Sequence, residues 1–392
     1  MTIKKLKKLA IVSTHPIQYN APLFRMLSLR GIILPKVFYT WGQLETGEKY
    51  DPGFGKKVEW DIPLLEGYAY TFVQNISPQP GSHHFAGIDN PSLVTELERW
   101  EPDAILIFGW CFKSHLKALR HFKGKKQILF RGDSNLLDET GGPSLKKAAR
   151  RIFLTWVYRH IDKALYVGTA NKEYYLTHGL KNTQLVFAPH AIDNDRFMAQ
   201  GVGGKVEEPG ISPGTVVFIF AGKFETKKDP RLLLNTFLLL PGSNAHLLMV
   251  GNGELEPALK EIAGRQPAEI SSRIHFLPFQ NQFKMPEIYR MGHVLVLPSQ
   301  GPGETWGLSV NEAMACSLAL LVSDKCGCAV DLVEPGMNGY VFRSRDGNDL
   351  LKKMEKLLSD QAGLTVMGKR SLQIIRSWSF ENICMAVEQS IR

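Results

Sequence analysis

Apolar stretches of strand length alternate with helix-like stretches along most of the chain, and this alternation constrains the fold more than any other feature. The predicted strands are 6–14, 34–40, 103–109, 127–134, 163–169, 184–191, 215–222, 245–251, 273–279, 293–299 and 318–324. The predicted helices between them are 21–31, 91–100, 113–122, 144–161, 229–240, 254–264 and 307–317. Because parallel strands need a crossover connection, usually a helix, the pattern predicts parallel sheets covered on both faces.

A glycine-rich segment divides this alternation into two runs. Residues 199–214 hold five glycines and two prolines, a composition typical of a linker. A chain of 392 residues also exceeds what one hydrophobic core usually serves. We therefore predict two doubly wound Rossmann-like α/β domains over 1–198 and 215–375, facing a cleft. In such sheets ligands bind beyond the carboxyl ends of the strands.

The charge balance is basic, with a formal net charge of +9 and a pI near 9.2. Basic runs at 4–8, 117–126 and 146–151 are typical either of solvated helix faces or of surfaces that attract nucleic acid, anionic lipid or a phosphorylated small molecule. No nucleic-acid-binding pattern accompanies them, so we expect no nucleic acid partner.

No apolar run is long enough to span a membrane and no signal peptide is recognisable, which predicts a cytoplasmic protein. An odd number of cysteines, five, fits reduced thiols, and the pair Cys326 and Cys328 is a weak metal signal.

Four predicted strand ends in the second half carry the informative residues, and the last of them is followed by 323–333, SDKCGCAVDLV. One strand ends at Gly222 and is followed by Lys223 and Lys228. Glycines past a strand let backbone N–H groups approach a phosphate, and lysines supply countercharge. Ordinary loop chemistry also uses glycine, and it is the alternative for any single loop. The other candidates at these ends are Gly251, Asn252, Gly253, Trp306, Gly307, Leu308 and Ser309.

Two glutamates, Glu304 and Glu312, flank the turn at Gly307. Glu312 is compatible with a capping box in which Ser309 is the N-cap, and Glu304 with a solvated loop acid. Alternatively, Glu304 accepts hydrogen bonds from a sugar and Glu312 from both hydroxyls of a ribose. A ligand that carries sugar, diphosphate and ribose would join both acids, the amides and the lysines. That ligand is a nucleotide sugar.

The stretch 298–342, PSQGPGETWGLSVNEAMACSLALLVSDKCGCAVDLVEPGMNGYVF, resembles the donor-site signature of family 4 glycosyltransferases, which have the two-domain GT-B fold. The similarity covers about 215–345. The family's paired glutamates match Glu304 and Glu312, and its arginine–lysine pair matches Lys223 and Lys228. Further matches are Gly251 and Gly253 in its Gly-x-Gly turn, Asp331 and Asn338 in its late motifs, and 188–197 at its domain junction.

The resemblance implies a retaining, metal-independent hexosyltransferase that uses no cofactor and takes a sugar from a UDP or GDP donor. It implies catalytic roles for Glu304, Lys228 and Lys223, with the base near 276–282, where Phe279 lies. It also implies that a helix over 376–392 crosses back to the first domain. The implied acceptor is a lipid-linked or surface-polysaccharide glycan, with peripheral contact at the anionic inner face of a membrane.

The first half departs from the family pattern. Arg131 and Asp133 stand where members often carry a histidine, and we expect them to assist catalysis unless they form a structural ion pair. The expected acceptor-binding residues are His15, Gln18, Tyr19, Asn20, Gly109 and Trp110. Three alternatives remain open at this point: an epimerase or phosphorylase of the same fold, a non-catalytic nucleic-acid-binding protein, and a transferase that binds its donor without turnover.

Overall fold

The computed structural model describes residues 6–42, 49–51, 56–139, 142, 144–201, 210–211, 214–242 and 244–391. The chain divides into two compact units. The first comprises Met1–Lys49, Ile62–Pro189 and Phe380–Arg392. The second comprises Tyr50–Asp61 and His190–Ser379. Most of the predicted linker, 199–214, lies outside the described residues, so the predicted domain boundaries stay predictions.

The first unit is built on a seven-stranded parallel sheet. Its strands are β1 (Lys7–Ser13), β2 (Ile33–Tyr39), β5 (Ala69–Phe72), β6 (Ala104–Phe108), β7 (Gln127–Arg131), β8 (Lys163–Tyr166) and β9 (Leu185–Phe187), in the order β5-β2-β1-β6-β7-β8-β9. Its helices are α1 (Ala21–Leu29), α2 (Leu93–Trp100), α3 (Lys113–Phe122), α4 (Leu145–Tyr158), α5 (Thr169–Thr177) and α15 (Phe380–Ser390).

The second unit repeats the plan with a six-stranded parallel sheet. Its strands are β10 (Val216–Ala221), β11 (Ala245–Val250), β12 (Ile274–Leu277), β13 (Val294–Leu297), β14 (Ala319–Ser323) and β15 (Gly339–Phe342), in the order β12-β11-β10-β13-β14-β15. Its helices are α6 (Asn194–Met198), α7 (Pro230–Phe237), α8 (Glu256–Gly264), α9 (Ala268–Ser271), α10 (Met285–Arg290), α11 (Leu308–Ala315), α12 (Ala329–Leu332), α13 (Gly347–Ser359) and α14 (Gln361–Ile375). A short two-stranded sheet pairs β3 (Lys49–Asp51) with β4 (Lys56–Val58).

Strands β10 and β11 are buried along their whole length and are apolar except for His246. All six residues of β10 are buried, and so are all six of β11. Such continuous apolar runs are typical of buried parallel strands. The predicted fold class, α/β with two doubly wound Rossmann-like domains, is confirmed.

Strand order places one switch point in each sheet. Strand β10 lies between β11 and β13, so the connections from β10 and β13 leave in opposite directions. Strand β1 lies between β2 and β6 in the same way. Ligands of open α/β sheets bind in the crevice at such points. The segments after β10 and β13 are therefore where a ligand of the second unit is expected.

Among the helices that the structure describes, none combines the length and the apolar character that crossing a membrane requires.

Candidate donor site

A buried ion pair joins the segments that follow β10 and β13. The ammonium nitrogen Nζ of Lys228 lies 2.7 Å from Oε2 of Glu304, and the two side chains are only 15% and 9% exposed. Ser299 Oγ donates a second hydrogen bond of 3.0 Å to the same carboxylate oxygen. Two residues predicted to act at the site are thus brought together from opposite sides of the switch point.

Each member of the pair keeps the other charged. Burial alone would lower the pKa of Lys228, but the adjacent Glu304 carboxylate outweighs burial and raises that pKa. Burial alone would raise the pKa of Glu304, but Lys228 outweighs it and lowers that pKa. The pair therefore stays ionised at neutral pH.

The backbone fixes Lys228 firmly. Residues Thr226–Lys228 form one 3-10 turn, and the following Asp229 caps α7 by accepting a hydrogen bond from the N–H of Leu232. Gln300, in the segment after β13, donates its backbone N–H to the carbonyl of Lys227 at 2.8 Å. The two segments are thus tied together by backbone as well as by charge. Lys223 is half-buried two residues after β10.

The Gly-x-Gly turn after β11 packs against the segment after β10. A Cβ atom on Gly251 would lie 2.0 Å from the carbonyl oxygen of Gly222, and one on Gly253 would lie 2.6 Å from that of Phe224. Asn252 between them accepts the N–H of Phe279 at 2.8 Å through its side chain. The glycines are thus required because two pieces of backbone approach each other closely.

Helix α11 begins beside the ion pair. Its N-cap is Gly307 at φ +101°, and no side chain caps it. The first-turn N–H groups of Leu308 and Ser309 point away from the helix with no intrahelical acceptor. Within the described chain, Ser309 Oγ is buried and has no hydrogen-bond partner. An uncapped helix N-terminus with an unpartnered buried hydroxyl is suited to an anionic ligand.

Glu312 is not part of a capping box. It is 5% exposed on the second turn of α11, and its Oε2 accepts a 2.8 Å hydrogen bond from the hydroxyl of Tyr289 on α10. The capping alternative fails because the helix starts one residue before Ser309, with Gly307 as N-cap. Tyr289 is a site neighbour that sequence reasoning missed, since nothing near it in the sequence marks it.

Trp306 has a structural environment. It is 3% exposed, and its ring lies between those of His190 and Trp378, at centroid distances of 5.6 and 5.2 Å. Its indole N–H donates to Asn311, which in turn donates to the carbonyl of His190. The side chain thus packs in the interior of the second unit.

The segment 59–61, directly after β4, contacts the segment predicted to hold the base. Both carboxylate oxygens of Asp61 lie 3.1 Å from the N–H of Phe283, and Asn281 donates to the carbonyl of Glu59. The Trp60 ring lies 6.2 Å from that of Phe279. Sequence reasoning missed this contact because 41–91 shows no clear periodicity.

The first-unit candidates lie in and after β1, β6 and β7. His15 packs edge-on against Trp41 at 5.0 Å, and Asn20 is the N-cap of α1. Gly109 has φ +71°, and the Trp110 ring packs against Phe153 at 5.5 Å. Gln18 and Tyr19, which lie between His15 and Asn20 in the sequence, are half-buried.

Arg131 is a backbone anchor. Its guanidinium donates to the carbonyls of Ala188 and Pro189 at 2.7 and 2.8 Å, and burial lowers its pKa to about 10. It thereby fixes the last residues of the first unit before the chain leaves. Asp133 follows on the same strand end, half-buried.

His115 is the buried histidine of this region and was not among the predicted residues. It is fully buried, with Nδ1 3.0 Å from the carbonyl of Gly109 and Nε2 2.9 Å from Thr40 Oγ1. Burial lowers its pKa to about 4, so the ring is neutral. Nδ1 therefore donates to the carbonyl and Nε2 accepts from the hydroxyl, which holds the loop after β6 in place.

No cluster of three or more histidine, cysteine or acidic side chains that could hold a metal occurs in the part of the chain that is described. Cys326 and Cys328 are buried separately, with Sγ atoms near the carbonyls of Leu297 and Gly307. Burial raises the pKa of both thiols.

Part of the second unit matches a known protein family. Residues 205–373 match the family described as "Glycosyl transferases group 1", and they contain β10 to β15 with the Lys228–Glu304 pair. This part of the chain is thus similar to the members of that family. The match covers less than half of the chain.

Curated relatives point the same way. A D-inositol 3-phosphate glycosyltransferase of Nocardia farcinica is 27% identical over 222 residues, which cover 54% of this chain and 48% of that protein. The sulfoquinovosyl transferase SQD2 of Arabidopsis thaliana is 26% identical over 45% of this chain and 32% of its own length. The chain thus spans about half, or less, of the curated relatives it matches here.

Solved structures share the whole fold. Anabaena Alr3699/HepE, in complex with UDP and glucose, covers 98% of this chain and 99% of its own, with a TM-score of 0.69 and 15% identity. WaaG, a glycosyltransferase involved in lipopolysaccharide biosynthesis, gives a TM-score of 0.65 at 14% identity over 98% of this chain. The chain shares the fold of these structures, the two-domain GT-B fold.

Proposed function

We propose that the protein is a retaining glycosyltransferase that moves a sugar from a nucleoside diphosphate donor, UDP or GDP, without a metal ion. The observation that carries the proposal is the buried Lys228–Glu304 pair at the switch point of the glycosyltransferase domain. The UDP and glucose named with the Anabaena structure support a nucleotide-sugar donor.

Lys228 would stabilise the leaving diphosphate. An ammonium group has three donors, and the bond to Glu304 uses one of them. The others can reach phosphate oxygens beside the first-turn N–H groups of α11. Preorganised donors at a developing anion are worth several kcal/mol in a water-excluded site. Lys223 would add countercharge from the same segment.

The two glutamates would bind hydroxyls. Lys228 Nζ and Ser299 Oγ both donate hydrogen bonds to Oε2 of Glu304. Oε1 is therefore the oxygen that would accept a hydrogen bond from a hydroxyl of the donor sugar. Glu312, held by Tyr289, would accept from the ribose, with Ser309 beside it. The base would contact backbone and rings near Phe279, where Asn252 and the segment 59–61 fix the loop.

The first unit would bind the acceptor. His15, Gln18, Tyr19, Asn20, Gly109 and Trp110 are proposed as acceptor contacts, with Asp133 assisting at the sugar or the acceptor. Arg131 would act by fixing the backbone, as its two carbonyl contacts suggest. We propose a glycan or lipid-linked acceptor and a site of action at the cytoplasmic face of a membrane.

A thermal-shift panel tests the donor site. UDP, GDP, ADP and CMP are each added with and without EDTA, and the melting temperature is recorded. A ligand at about 100 times its Kd stabilises a protein by roughly 2.7 kcal/mol. We expect one nucleoside diphosphate to raise the melting temperature equally in both conditions. A shift that EDTA abolishes would contradict metal independence, and no shift with any nucleotide would contradict the donor site.

Product stereochemistry tests the mechanism. With a sugar donor that carries the nucleotide identified by the panel and with a simple acceptor, proton NMR of the fresh product shows whether the anomeric configuration of the donor is retained. Inversion would contradict the proposal even if nucleotide binding holds. Release of an epimerised sugar without any acceptor would identify an epimerase instead.

A further inference from the structure

Three aromatic side chains that are not fully buried lie on or against the loop 278–283, between β12 and α10. Trp60 and Phe279 are half-buried, and Phe283 is 44% exposed. Most other described aromatic residues of the second unit are buried in its interior, for example Phe218, Phe220, Phe224, Phe237 and Trp306. Large apolar side chains that stay exposed together mark a binding surface.

Trp60 meets Phe279 at an open angle. Their ring centroids lie 6.2 Å apart, and the ring planes cross at 64°. In such an edge-to-face contact each ring covers only part of the surface of the other. Both side chains are accordingly half-buried. Ring surface therefore stays available for a third planar group.

The loop 278–283 is fixed from two sides by the protein itself. Residues 59–61 accept hydrogen bonds from the side chain of Asn281 and from the N–H of Phe283. Arg196 of α6 donates to the carbonyl of Gln282 and, at 2.7 Å, to the side-chain oxygen Oε1 of the same residue. A preorganised loop loses little conformational entropy on binding, so its contacts count more fully toward affinity.

Two further contacts place this loop beside the groups proposed for the ribose and the diphosphate. It leads into α10, where Tyr289 donates a hydrogen bond to Glu312, the proposed ribose contact. At its start, Phe279 is bound by Asn252 of the Gly-x-Gly turn, which packs against the segment that carries Lys228. The base of a nucleotide is joined to its ribose by one bond, so a nucleotide held at these groups brings its base to the loop. In this step the inference rests on the proposed function.

We infer that Trp60 is a donor-binding residue that stacks on the nucleobase. Every base has a planar π face, and stacking on an aromatic side chain typically raises affinity by roughly five-fold to 100-fold. Hydrogen bonds from the loop to the edge of the base select among bases, whereas Trp60 adds affinity for each of them. A residue that precedes the second sheet in sequence thereby completes the donor site of that unit.

Two other roles for Trp60 lead to different outcomes. A Trp60 that only props the loop would not touch the nucleotide, so bound nucleotide would leave its fluorescence unchanged. A Trp60 that stacks on a sugar of the acceptor would leave nucleotide affinity unchanged when it is removed. Stacking on the base does both at once, because it quenches tryptophan emission and contributes to nucleotide affinity.

Fluorescence titration of the full chain tests the inference, with calorimetry to give the affinities. The probes are the nucleoside diphosphate selected by the thermal-shift panel, UDP or GDP, and inorganic pyrophosphate, which has no base. We expect the nucleotide to quench tryptophan emission and pyrophosphate to leave it unchanged. W60F should keep a nucleotide-induced rise in melting temperature but lose most of the quench. W60A should bind the nucleotide at least about five-fold more weakly and pyrophosphate as before.

Matched controls lie in the first unit. W100F replaces a half-buried tryptophan, and F85A removes an aromatic side chain that is 47% exposed. Both should keep the quench and the affinities of the unsubstituted protein. A full quench in W60F, or equal weakening of nucleotide and pyrophosphate binding in W60A, would overturn the inference and leave the donor site standing. Absence of nucleotide binding in the unsubstituted protein would overturn the proposed function, and this inference with it.

Discussion

Lys228 and Glu304 form a buried ion pair in which each side chain keeps the other charged. Removing one of the two charges should therefore destabilise the protein. Substituting Lys228→Met leaves Glu304 buried without its counterion, which typically costs about 3–5 kcal/mol in unfolding free energy. If Lys228 also stabilises the leaving diphosphate, turnover should fall by about 100-fold to 1,000-fold. Denaturant melts and initial rates measure the two effects.

The double variant K228M/E304Q separates stability from catalysis. It removes both charges, so most of the lost stability should return, because no buried charge is left unpaired. Turnover should stay low, because the cation is still absent. Recovery of turnover together with stability would show that Lys228 has only a structural role.

The buried His115 is expected to make the stability of the first unit depend on pH. Its folded pKa is lowered to about 4 from the ordinary 6.5, so between these values the unfolded chain binds the proton and the folded chain does not. Stability should therefore fall as the pH drops through this window, by up to ~3 kcal/mol. Chemical denaturation from pH 7 to 4 measures the loss. It should be smaller in H115Q, whereas H83Q, at an exposed position, should follow the unsubstituted protein.

At the scale of elements, the turn after β11 depends on backbone contact. The substitution Gly251→Ala places a Cβ 2.0 Å from the Gly222 carbonyl at φ +140°, so the segment after β10 must shift. We expect a loss of about 1–3 kcal/mol and a weaker nucleotide-induced shift, since that segment carries Lys228.

Gly264→Ala is the matched control for this change. It lies at the end of α8 with nothing within 4 Å of the added Cβ, and it should be neutral or stabilising by up to about 1 kcal/mol. Urea melts of the two variants give the comparison. Equal stability of both would contradict the packing explanation.

Strands of the two sheets were predictable where both faces are buried. Every predicted strand overlaps an observed one, as 215–222 does with β10. The missed strands β3, β4, β5 and β15 are three or four residues long. Strands β5 and β15 lie at sheet edges, where β5 is half-buried or exposed and only the first and last residues of β15 are buried, so they lack the continuous buried run that marks a central parallel strand.

The site was predictable to the extent that it follows strand ends. Glycine and lysine after β10 pointed to Lys228 as a candidate, and the structure places it against Glu304. The roles of Lys228, Glu304 and Glu312 in binding or catalysis stay predictions. Contacts across the unit were not accessible: Trp306 looks like a ligand-facing aromatic but packs between two rings, and Tyr289 contacts Glu312 from another helix. Such pairings depend on how elements pack, which local periodicity does not encode.

At the scale of the whole molecule, α15 belongs to the first unit although it follows the second in sequence. Its Glu388 makes a bidentate pair with Arg30 at 2.7 and 2.8 Å, and Ser390 accepts from Gln127. Ile383 and Val387 are buried on its inner face. The first unit is therefore incomplete without this helix.

Shortening both buried side chains tests this dependence. The double variant I383A/V387A should destabilise the first unit by several kcal/mol, because a large-to-small change in a core typically costs about 2–5 kcal/mol. Hydrogen exchange followed by mass spectrometry should show faster exchange in β1, β6 and β7 and little change in β10 and β11. M385A, at a 40% exposed position on the same helix, is the control. Uniformly faster exchange in both units would contradict the division.

The return of α15 to the first unit also sets an order of events during synthesis. Domains usually fold as they leave the ribosome, the N-terminal one first. Residues 50–61 belong to the second unit and can pack there only after 190–379 have been synthesised. The first unit, in turn, is complete only when residues 380–390 have left the ribosomal exit tunnel. The unit that is translated first is thus the last to be finished. In the interval its surface for α15, including Arg30, is open to chaperones.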